Sequence, residues 1–139
     1  MVAMILCRLD DVRKIRECVR DLALAAGVPD AGAAVLAAGE LGNNCVEHGD
    51  HTPALLMIGC EAGRLSLRFE NRCEHQPTWQ TCKPVAVQEF RTGGYGLQLV
   101  RTLATCVDCQ WRDGRAVVQA EFKQDQSSSP SSAAHTRGA

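Results

Sequence analysis

Apolar residues recur along the chain with two periods. From Val12 they fall at Ile15, Val19, Leu22 and Ala26, steps of three and four that draw one stripe along a helix. Asp10 and Asp11 suit the positive first turn of that helix, and Gly27 marks its end. Pro29 and Asp30 open a second helical pattern through Val35, Ala38, Leu41 and Cys45 that stops at Gly49. Elsewhere the period shortens. Met1 to Cys7 suits a first strand, with loose alternation from Ile5 to Leu9, and Leu55 to Cys60 and Leu65 to Phe69 predict a hairpin around Glu61 to Arg64. Leu97, Val100, Leu103 and Ala104 predict a short helix. Cys106 to Trp111 and Ala116 to Phe122 then predict a second hairpin around Arg112-Asp113-Gly114-Arg115. Asn71 to Gly94 has no clear period and carries Pro77, Pro84 and Gly93-Gly94, the composition of a functional loop or lid. From Ser127 the chain is rich in Ser, Pro, Ala and Gly without a large apolar residue, so the expected organisation is one domain over residues 1–123 and a disordered tail over 124–139.

Length and charge narrow the classes. At 139 residues the chain holds one core, and 45% apolar with 22% charged residues is ordinary globular usage. Fifteen basic against sixteen acidic residues leave a net charge of -1, without the basic excess that phosphate-backbone binding needs, so nucleic acid is not expected as a partner. Apolar runs such as Ala54 to Cys60 fall far short of a bilayer span. The apolar start has no preceding basic residue and meets Arg8 and Asp10 at once, which makes a poor export signal, so the expected location is the cytoplasm.

The second helical pattern contains Gly39-Glu40-Leu41-Gly42-Asn43-Asn44. Each glycine costs about 1 kcal/mol against Ala in a helix, and the asparagines compete for backbone hydrogen bonds. A local conflict inside a consistent pattern often marks a functional site. On a helix, Glu40, Asn44 and His48 follow at steps of four along one edge, about 6 Å apart. A nucleotide-bound magnesium ion needs only one or two protein oxygens, which Asn44 can supply; Glu40, one turn earlier, is then placed to polarise an attacking hydroxyl or water. The alternative is a solvated polar face with glycines marking a loop. His48, just before Gly49, reads first as a cap on the last helical carbonyls.

Gly93-Gly94-Tyr95-Gly96-Leu97 runs straight into the third helix. Backbone N–H groups in such a turn can approach phosphate oxygens, and the helix N-terminus favours negative charge. A plain helix start has the same composition, and the spacing is neither a Walker loop nor a full dinucleotide fingerprint. Arg91, just upstream, can reach a terminal phosphate if the loop closes; a loop arginine is otherwise simply solvated.

In their order these motifs resemble the GHKL ATPase superfamily, and most closely its branch of serine/threonine kinase anti-sigma factors. Glu40, Asn44 and His48 before Gly49 are similar to that branch's N box, and Gly94, Gly96 and Leu97 resemble its last glycine box. The resemblance spans Ile5 to about Phe122. It implies an α/β fold, more fully an α+β two-layer sandwich of Bergerat type, with a mixed, mostly antiparallel sheet covered on one face by helices. It implies ATP and Mg2+ as cofactors, Asn44 on the magnesium, Glu40 as catalytic base, and Arg91, Gly94, Gly96 and Leu97 around the nucleotide. The implied partners are a small antagonist with a phosphorylatable Ser or Thr and a sigma factor; a homodimer stays open. On this reading the glycines of the second helix make room for phosphates and lid.

Two departures stand out. Where the family usually has an Asp followed by glycines for the adenine amino group, this chain has Phe69-Glu70-Asn71-Arg72-Cys73, so Asn71 takes that place with one carbonyl acceptor and no charge. A Thr common near the last hairpin is replaced by Arg115-Ala116. A degenerate module that binds protein partners without catalysis is therefore a second reading. A third is a zinc or thiol sensor, since Cys106 and Cys109 have the spacing of half a zinc site that Cys73, His75 and Cys82 could complete. Cys7, Cys18, Cys45 and Cys60 read as small buried hydrophobes.

Overall fold

In the computed structural model, residues 1–48, 52–74 and 96–124 are described. The expected lid beyond Glu74, with Arg91 and Gly94, and the expected tail from 125 lie outside them.

The first strand, β1 (Val2–Leu6), leads into α1 (Leu9–Ala26). Asp11 fixes the start of α1, its carboxylate Oδ2 accepting the Cys7 and Arg8 N–H groups at 2.8 and 3.0 Å. Gly27, at φ 73°, ends it in the left-handed conformation. Asp30 caps α2 (Ala31–His48), its Oδ1 accepting the Ala33 N–H at 2.9 Å. The first hairpin is β2 (Ala54–Glu61) and β3 (Arg64–Arg72). After it come α3 (Gly96–Leu103), β4 (Cys106–Arg112) and β5 (Arg115–Lys123). Asn71 and Arg72, expected to begin the aperiodic stretch, instead finish β3. Polar side chains on both faces of the sheet's end hide the alternation there.

Among the described residues the strands form one sheet in the order β1-β2-β3-β5-β4, and every pairing is antiparallel. This is the expected α+β sandwich. Alternation decides which face is covered. Leu56 and Ile58 of β2, Leu65, Leu67 and Phe69 of β3, and Val118, Ala120 and Phe122 of β5 are buried with Val12, Ile15 and Val19 of α1 and Ala34, Ala38 and Leu41 of α2. The opposite face, carrying Ile5, Leu55, Arg68, Glu70 and Val117, is covered by no described helix.

Candidate functional site

The site is assembled where α2, packed between α1 and α3, presents its polar edge to the start of α3. Glu40 and Asn44 lie one turn apart on that edge and are partly exposed. Gly96 stands directly against them. A methyl group on Gly96 would sit 2.8 Å from Glu40 Oε2, and 3.5 and 3.6 Å from Asn44 Nδ2 and Oδ1. Both motifs singled out by composition thus share one wall, and only glycine fits at the contact without moving the carboxylate. Leu97, next along, is half-buried against the core, so its side chain anchors the first turn of α3. His48 ends α2; Gly49, Arg91 and Gly94 lie outside the described residues.

Gly39 and Gly42 of α2 have a different cause from the one expected. A methyl on Gly39 would meet the Arg16 side chain at 3.2 Å, and one on Gly42 would meet Val12 Cγ2 at 3.3 Å and Leu6 Cδ2 at 3.4 Å. They let α2 lie close on α1 and β1 and do not face the Glu40–Asn44 edge. The conflict between propensity and pattern comes from helix packing at Gly39 and Gly42, whereas space beside the polar pair is provided by Gly96.

Asn71 continues the series Leu65, Leu67, Phe69 and therefore points to the helix-covered face, half-buried at the end of β3. Its register neighbours across the sheet are Ala116 and, beyond it, Trp111. Ala116 is 3% exposed and offers Asn71 no hydroxyl; Arg115, its neighbour in sequence, points to the opposite face. Trp111 is a positioning residue that residue-type reasoning passed over. Its indole N–H donates to the Cys73 carbonyl at 2.9 Å, while the Cys73 N–H donates to the Gly114 carbonyl at 2.7 Å, so the end of β3 is laced to the last hairpin. Inward alternation in β4 was the signal available for it. A cavity of about 440 Å³ adjoins this corner, lined by Thr52, Pro53, Leu55, Glu70, Asn71 and the hairpin tip; Glu40 and Asn44 are not among its walls.

The thiols divide by environment. Cys45 is buried, and burial pushes its thiol up to about 12, which makes it a small apolar side chain. Cys7 and Cys60 are exposed and Cys18 is half-buried, so the expectation that all four are buried holds for Cys45 alone. Cys7 and Cys60 sit at strand ends, where an apolar run in sequence no longer means cover. Cys106 and Cys109 fall at odd separation on a continuous strand and project to opposite faces, so they cannot grip one ion together. Among the described residues no three His, Cys, Asp or Glu side chains gather as metal ligands, and no helix is long and apolar enough to cross a membrane.

Residues 5–122 match the family model of the histidine kinase-like ATPase domain. Among solved structures, the chain is similar to the RsbU and RsbW domains of Rv1364c from Mycobacterium tuberculosis. The two share 17% identity and a TM-score of 0.63 over 88% of this chain, and the match spans 31% of that longer chain. No curated protein matches it.

Proposed function

The chain belongs to the histidine kinase-like ATPase family, and from that premise we propose that it binds ATP with magnesium beside the α2 edge and passes the γ-phosphoryl group to a serine or threonine of a small antagonist protein. The consequence would be partner switching in the cytoplasm, in which phosphorylation decides whether the protein holds its antagonist or a sigma factor. The observation that supports this reading is the contact of Gly96 with Glu40 and Asn44.

The donor chemistry fits the group. Asn44 offers an amide oxygen for a hard cation, and the N-terminus of α3 offers N–H groups to phosphate oxygens beside it. Bound magnesium-ATP supplies the phosphoryl group and offsets the charge that develops on it. Glu40 accepts the proton of the attacking hydroxyl as its oxygen bonds to the γ-phosphorus and the bond to ADP breaks; such a base is worth roughly 10²–10⁴-fold in rate. Asn71 keeps one acceptor for the adenine amino group.

The test is a pair of measurements on the same proteins, magnesium-ATP titration by calorimetry and phosphate incorporation into candidate antagonists. Glu40→Ala is expected to bind ATP as the parent does while transfer falls by about 10²–10⁴-fold, and Asn44→Ala to lose binding. Equal loss of both properties in both variants would overturn the role assignment. A binding module without catalysis is the second reading, supported by Asn71 beside the hydroxyl-free Ala116. It predicts stable antagonist complexes and no transferred phosphate.

A further inference from the structure

On the open face of the sheet the registers bring Arg72 of β3, Arg115 of β5 and Arg112 of β4 side by side, in one row across three adjacent strands. All three are exposed. Like charges placed directly opposite one another in a sheet are destabilising. Glu70 answers only part of it: its Oε1 takes Arg115 Nη1 at 2.5 Å and its Oε2 lies 3.8 Å from Arg68. Among the described residues neither Arg72 nor Arg112 forms an ion pair. Four arginines, Arg68, Arg72, Arg112 and Arg115, thus stand with three carboxylates, Glu70, Asp108 and Asp113, on a chain whose net charge is -1, and the excess of positive charge falls at the Arg72–Arg115–Arg112 row.

The next row on this face, one pleat away, runs Ile5, Leu55, Glu70, Val117 and Gln110 across all five strands. A basic row therefore borders a partly apolar one, with Ile5 58% exposed. We propose that this face docks an acidic amphipathic helix of a protein partner, its carboxylates on the Arg72–Arg115–Arg112 row and its apolar side on Ile5, Leu55 and Val117. The spacing suits a helix lying across the strands. Three adjacent strands span about 10 Å, and carboxylates at positions i, i+4 and i+7 of a helix span about 10.5 Å along its axis.

Charge narrows the occupant. Residues 75–95 contain Glu89 as their one acid and 125–139 contain Asp125 as theirs, so this chain's undescribed segments do not supply such a helix. A second copy is also a poor match, because the acidic residues of α1 are interleaved with Arg13, Lys14, Arg16 and Arg20. The face is separate from the Glu40–Asn44 edge and does not depend on the nucleotide reading.

The test uses the full chain and a fluorescent helical peptide with glutamates at i, i+4 and i+7 beside a leucine face, read by anisotropy at two salt concentrations. Wild type is expected to bind it with salt-dependent affinity. The double charge reversal Arg72→Glu with Arg112→Glu is expected to weaken binding about tenfold or more, and Arg72→Gln with Arg112→Gln to fall between, with melting temperatures no lower than the parent's and magnesium-ATP affinity unchanged. Undiminished binding by the reversed variant, equal binding of a scrambled peptide, or no binding by wild type would each overturn the proposal. So would preference for a single-stranded oligonucleotide, or salt-sensitive self-association removed by the reversal without any peptide binding.

Discussion

Gly39, Gly42 and Gly96 show how a single hydrogen in place of a methyl can serve different ends. At Gly39 the nearest atom to an added Cβ is a methylene of the flexible Arg16 side chain, which can swing aside. Gly39→Ala should therefore keep the helix-propensity gain of about 1 kcal/mol, raising the melting temperature by roughly 3–4 °C. At Gly42 the neighbours are Val12 and Leu6, 0% and 1% exposed, and they have nowhere to go. Gly42→Ala should lower stability, since overpacking a filled core costs about 1–3 kcal/mol. Thermal melts of the two variants moving in the same direction would contradict this assignment. Gly96→Ala is expected to leave the fold and magnesium-ATP binding intact and to lower phosphoryl transfer, because the new methyl displaces the Glu40 carboxylate; phosphate incorporation beside calorimetry and a melting curve separates these effects. The sequence marked this region through its poor helix propensity, and the step of four correctly paired Glu40 with Asn44. Which glycine faces which neighbour was not legible, because it depends on how α2 is rolled against α1, a tertiary quantity that spacing does not contain.

At the level of elements, the last hairpin is where local chemistry and site position meet. Asp113 and Gly114 adopt φ of 53° and 75°, the paired left-handed conformation of a type I′ turn that matches the twist of its strands. Gly114→Ala should cost about 1–2 kcal/mol through left-handed strain, while Asp113→Asn should be nearly neutral; denaturant titration checks both, and an unchanged midpoint for Gly114→Ala would contradict the turn assignment. Because Cys73 and Trp111 are bonded across this turn, its loss should also loosen Asn71. Hairpins and helices were legible because each is written in a local period. The end of β3 was not, since Glu70, Asn71 and Arg72 are polar on both faces and owe their strand to pairing with Val117, Ala116 and Arg115.

For the molecule as a whole, pH reports which of these links matter. The Cys7 and Arg8 N–H groups hold the Asp11 carboxyl below its ordinary 3.8, and the Arg64 guanidinium holds the Glu121 carboxyl below its ordinary 4.5. A carboxyl whose pKa is lower folded than unfolded releases its proton more readily in the native state. Its contribution is complete above the unfolded value and disappears as pH falls through the folded one. Stability should therefore decline below about pH 4, with Asp11→Asn unfastening β1 from α1 and Glu121→Gln releasing β5 from β3. Cys45 acts at the other end. Its thiol rises from 9.0 to about 12 in the fold, so above pH 9 the unfolded chain ionises while the native chain does not, and stability falls as pH rises from there. Denaturant midpoints from pH 3 to 11 should trace a plateau between these limits. Asp11→Asn and Glu121→Gln should each flatten the acid limb, and Cys45→Ala should lower the plateau through its cavity yet flatten the alkaline limb. An alkaline limb with the same slope in Cys45→Ala would mean that this thiol is not what α2 protects from ionisation.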